Sequence, residues 1–69
     1  MNYSEWADEY LEDADRILSV IKKKKSLLND KKLNSDARKH LSDMIIAYRS
    51  IYRELLRTAE LLRAREISL

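Results

Sequence analysis

The second half of the chain carries Leu41, Tyr48, Leu55, Leu62 and Leu69 at strict seven-residue spacing, with Met44 and Ile51 three positions on and Ile45, Tyr52 and Ala59 four on. An apolar stripe that repeats every seven residues belongs to one long helix, lying at a shallow angle against a neighbour of the same kind. The first half supplies that neighbour. There Ala7, Ala14, Ile21 and Leu28 recur with the same period, joined by Tyr10 and Ile17 and by Leu11 and Leu18.

The two helices must be joined without the usual turn residues, because the chain contains neither Gly nor Pro. Average usage of about 7% and 5% would supply several of each. Strand hairpins with tight turns and Gly-rich phosphate loops drop out with them. The joint is predicted at "NDKKLNSD", residues 29 to 36, the cluster of Asn, Asp and Ser that can take over turn chemistry. Asn29 is expected in the left-handed conformation that ends a helix, and Asn34 or Ser35 is expected to cap the next one. At the N-terminus, Asn2 and Glu5 have the spacing of a capping box, Met1 and Trp6 that of a hydrophobic staple, and Ser4 is the rival cap.

The fold class that follows is all-α: a single domain, 1–69, built as an antiparallel two-helix hairpin with long helices over about 3–29 and 35–66. Pairing the rods about the joint sets Ile21 near Met44, Ile17 near Tyr48, Tyr10 near Leu55 and Tyr3 near Leu62.

A chain of 69 residues buries little surface when folded alone, and with no cysteine and one histidine it has neither disulfides nor a Cys/His metal site to help. Its apolar arc is also too wide for two helices. Val20, Leu27, Ala47 and Leu61 extend it on one side, so that the main arc covers about 140°, and Leu56 and Ile46 lie further round. A homo-oligomer is therefore expected, most simply a dimer forming a four-helix bundle. The residues expected at its interface are Trp6, Tyr10, Ile17, Ile21, Met44, Tyr48, Ile51, Tyr52, Leu55 and Leu62.

Charge is strongly polarised along the first helix. Residues 1–15 hold six acidic side chains and no basic one, whereas residues 16–32 hold seven basic side chains and one acidic. That order suits the helix dipole without further purpose. On the helical wheel Lys22 to Lys25 fan out over about 300°, and Lys24 and Lys25 fall on the apolar face. Folding nonetheless gathers Lys22, Lys23, Lys31, Lys32, Arg38 and Lys39 at the joint end, a candidate polyanion-binding tip. A second candidate surface is the row Arg49, Arg53 and Arg57 beside Tyr48 and Tyr52, unless those arginines pair with Glu54, Glu60 and the acidic half of the first helix.

No constellation for catalysis, cofactor binding or metal binding emerges. His40 has no Cys or Ser nucleophile to serve, and the acidic run "DEYLED" lacks the Glu-x-x-His of carboxylate-bridged metal bundles. No apolar run approaches the roughly 20 residues of a membrane span, and the acidic start is unlike a signal peptide, so a cytoplasmic protein is expected. The leading expectation is a non-enzymatic protein–protein interaction or assembly module (adaptor, inhibitor or structural subunit), with itself and another protein as partners. The alternative is a small nucleic-acid-binding regulator using the basic tip, although the chain lacks the short second helix and Gly-bearing turn of a helix-turn-helix.

Overall fold

Asn2 opens the first helix: its side-chain oxygen accepts from the Glu5 backbone N–H at 2.7 Å, satisfying a donor that the first turn leaves open. In the computed structural model, which describes residues 2–68 with side chains through residue 66, α1 runs over Tyr3–Leu28 and α2 over Ser35–Ser68. Asn34 opens α2 in the same way, its Oδ1 accepting from the Ala37 N–H at 2.8 Å. Of the rival caps, Ser4 and Ser35 are therefore already inside their helices. Among the described residues there is no strand. Met1, half of the expected staple with Trp6, and Leu69, the last of the seven-residue series, lie outside the described residues.

The exit from α1 differs from expectation. Asn29 sits in the right-handed region at φ −79° and ψ −6°, and no described residue has positive φ. A left-handed residue other than glycine costs about 1–2 kcal/mol, and the chain finds another way to satisfy its free carbonyls. The helix tightens, with the Asn29 N–H donating to Ser26 O at 3.2 Å and the Asp30 N–H to Leu27 O at 3.1 Å. Arg38, one turn into α2, then reaches back and donates to Leu28 O at 2.7 Å and Asp30 O at 3.3 Å. Within the joint, the Asp30 carboxylate accepts from the Lys32 N–H at 2.9 Å, the local bond by which Asp imitates a backbone turn.

The two helices meet along the expected stripe. Buried residues are Ala7, Ala14 and Ile21 on α1, and Ile45, Ala59 and Leu62 on α2. Between them along the same seam lie the half-buried Tyr3, Tyr10, Ile17 and Leu28, facing Leu41, Tyr48, Tyr52 and Leu55. The alanines bring the backbones close, and the larger Tyr3, Tyr10 and Leu11 pack around the Ala7, Ala59 and Leu62 contact.

The register is offset by about one helical turn from pairing about the joint. The Tyr3 N–H donates to the Glu66 carboxylate at 2.9 Å, Arg63 pairs with Asp8 at 3.2 Å, and the Lys24 ammonium lies 5.7 Å from the centre of the Tyr48 ring. Leu28 shares a shallow groove with Ser42 and Ile45. The first turns of α2 consequently overhang the end of α1, and the joint climbs alongside them, held by Arg38. Tyr3 and Tyr10 both pack against the one cluster of Ala7, Ala59 and Leu62, where separate partners for each had been expected.

The result is a rod of 54 × 14 × 14 Å with a radius of gyration of 16.0 Å. A compact globule of this length would have a radius near 11 Å. Its exposed area of 5574 Å² exceeds the roughly 4,500 Å² typical of a compact 8.2 kDa monomer.

Candidate functional site

Two antiparallel helices share two flanks, and they are unlike each other here. On one side, the positions just before the seam residues are Trp6, Asp13, Val20 and Leu27 on α1 and Met44, Ile51 and Thr58 on α2. Trp6 is 43% exposed, Leu27 54% and Ile51 45%, with Leu61 at 59% and the exposed Ala47 extending the surface outward on α2. On the other side the flank holds Leu11, Leu18 and Leu56, all half-buried, among Lys25, Ser42, Arg49 and Arg63. The first side is apolar and open; the second is partly covered and basic at its edges.

The residues expected at a subunit interface divide accordingly. Tyr10, Ile17, Ile21, Tyr48, Tyr52, Leu55 and Leu62 line the seam inside the hairpin, with Ile21 and Leu62 fully occupied there. Met44, half-buried, borders the seam, while Trp6 and Ile51 stand on the open side. Ile46, 65% exposed, lies apart from them and lines the groove of the other flank with Lys25, Leu28 and Ser42. The apolar residues that widen the arc, Val20, Leu27, Ala47 and Leu61, were visible in the sequence, and they rather than the seam residues make up the open surface.

The basic tip is spread out by the register. Arg38 is engaged with the carbonyl oxygens of Leu28 and Asp30, a structural task that its position in the sequence did not signal. Lys22 and Lys23 lie about 15 Å down the rod from Arg38 and Lys39, and they point to different sides. Lys31, Lys32 and Lys39 are exposed around the joint. Lys24 is half-buried, its stem covering the seam and its ammonium over Tyr48, a contact worth about 0.5–1 kcal/mol.

Among the described residues, the ion pairs are Arg16 with Asp13 at 2.9 Å and Arg63 with Asp8 at 3.2 Å, both exposed. The pairing expected for Arg49, Arg53 and Arg57 is not among them. Arg53 and Arg57 are exposed, and Arg49 lines the groove with Lys25. Among the described residues no cluster of His, Asp or Glu has the make-up to hold a metal ion, and no helix is long and apolar enough to cross a membrane. Comparison with protein-family models, with curated proteins and with solved structures gives no match.

Proposed function

We propose that this chain is a helical assembly module, a non-enzymatic protein–protein interaction subunit that works as a homo-oligomer, most simply a dimer completing a four-helix bundle. One observation carries the reading: Trp6, Leu27, Ile51 and Leu61 stand 43–59% exposed along one side of a hairpin. Exposed apolar surface gathered on one side of a small protein marks an interaction surface. The area fits as well. A side of 54 by 14 Å is roughly 750 Å², close to the 800 Å² or so that each partner contributes to a stable interface.

Sedimentation equilibrium at micromolar concentration tests this, with a mass of twice 8.2 kDa expected. A monomer at that concentration refutes it. Adaptor, inhibitor or structural subunit are the roles such a module would serve towards another protein.

A second reading, binding of nucleic acid by the joint end, draws support from Lys22, Lys23, Lys31, Lys32 and Lys39, which are exposed and in no ion pair among the described residues. Their spread along and around the rod favours sequence-blind attraction over a shaped site. Titration with random single and double strands decides the matter: no binding at low salt removes this reading.

A further inference from the structure

The apolar side is edged by charged residues on both helices, and the two edges have opposite sign at mid-rod and, with an offset of about 6 Å along the rod, towards each end. On α1 the edge runs Glu9, Arg16, Lys23; on α2 it runs Arg65, Glu54, Asp43. Each lies about 110–150° round from the middle of its own seam, at 100° per residue. All six are exposed. The contacts of Tyr3 with Glu66, Asp8 with Arg63 and Lys24 with Tyr48 put residues whose numbers add to about 70 at one height. Glu9 and Arg65 therefore lie near the chain ends, Arg16 and Glu54 at mid-rod, and Lys23 and Asp43 towards the joint. Within one hairpin the two edges stand on opposite borders of the face and do not answer each other.

Resting on the homo-oligomer proposed above, we infer that the occupant of this side is a second copy related by a two-fold axis parallel to the rod. The two joints then lie at the same end, and α1 of each copy packs against α2 of the other. That rotation carries each edge across to the other without changing the height of any residue. Arg16 meets Glu54 of the second copy at one height, while Glu9 lies about 6 Å along the rod from its Arg65 and Lys23 about 6 Å from its Asp43, distances that long basic side chains span. The apolar residues match in the same operation: Trp6 comes to Leu61, Val20 to Ile51 and Ala47, and Leu27 to Met44.

A two-fold axis perpendicular to the rod does worse. It lays α1 on α1 and α2 on α2, which puts Arg16 against Arg16 and Glu54 against Glu54 near the centre and Val20 against Asp13. Like charges facing each other suppress such a mode of association. The parallel axis does gather the joint lysines of both copies at one end, but those are exposed charges whose repulsion salt screens.

The chain has no cysteine, so a single Lys31→Cys variant carries one spin label per copy. Pulsed electron–electron distance measurement is expected to give a separation below about 35 Å, the spacing of neighbouring helices plus the label arms. A perpendicular axis separates the labels by nearly the 54 Å length of the rod, and that result overturns the arrangement.

Charge exchange supplies an independent readout. Arg16→Glu should raise the dimer dissociation constant about tenfold, and Glu54→Arg added in the same chain should restore it. Absence of that rescue, with helical content unchanged, also overturns the arrangement. A monomer in sedimentation refutes the homo-oligomer and this geometry together, whereas a dimer with distant joints refutes the geometry alone.

Discussion

The Arg38 guanidinium donates to the Leu28 carbonyl oxygen at 2.7 Å, so a side chain one turn into α2 closes the last turn of α1. The bond does for this glycine-free chain what a left-handed glycine does elsewhere, occupying carbonyls that the helix end leaves open.

Replacing Arg38 with Ala should destabilise the hairpin by about 1–2 kcal/mol, at the lower end for a charged hydrogen bond because the group is exposed. In so small a domain each kcal/mol lowers the melting temperature by about 4–8 °C, readily seen by circular dichroism. Arg38→Lys should recover only part of the loss, since one ammonium cannot span both the Leu28 and Asp30 oxygens as a planar fork does. An unchanged melting temperature in Arg38→Ala would show that water serves the carbonyls equally well.

Asn34→Ala removes the cap of α2 and should cost about 1 kcal/mol, while Asn34→Asp should retain the cap. Asn2→Ala removes the equivalent bond at the start of α1 and should cost a similar amount. Urea unfolding of the three variants gives the comparison; an unchanged stability in both alanine variants would show that the caps contribute nothing.

Ala14 is 1% exposed in the seam, where its size sets how closely the helices approach. Ala14→Leu should overpack the contact and cost about 1–3 kcal/mol. Ile21→Ala, in the same stripe, should cost about 2–5 kcal/mol by leaving a cavity. Thermal unfolding separates these from Ala47→Leu, an exposed position, where a comparable loss would mean that the seam has been misassigned.

Ile51→Asp places a charge on the open apolar side and should shift the oligomer to monomer while leaving the helices formed. Ile46→Asp, in the groove of the opposite flank, should leave the mass unchanged. Analytical ultracentrifugation of the pair reads the difference, and dissociation by Ile46→Asp instead would assign the contact to the opposite side.

Combining Lys22→Gln, Lys31→Gln and Lys32→Gln should weaken any polyanion binding and flatten its dependence on salt, without altering the oligomer. Fluorescence anisotropy with a labelled random oligonucleotide across a salt series checks the first part. Binding that is indifferent to these lysines would move the site elsewhere.

Much of this molecule is local in origin and was legible residue by residue. The seven-residue spacing of Ala7, Ala14 and Ile21 and of Leu41 to Leu62 encodes two amphipathic helices. Asn2 and Asn34 mark where they begin, and the Asn/Asp/Ser cluster marks where the chain turns. Helical periodicity and capping depend on neighbours within a turn, so the order of residues suffices to place them. The register does not follow from such rules. That Tyr3 bonds Glu66 while packing on the Leu62 cluster, and that Lys24 comes to lie over Tyr48, depends on how far the first turns of α2 overhang α1. With that overhang come the bonds of Arg38 to Leu28 and Asp30, which span ten and eight residues and form only as the joint closes. The same docking sorts the wide apolar arc into a seam that is spent inside the hairpin and a side that is left open, because only the packed pair decides which apolar atoms water still reaches.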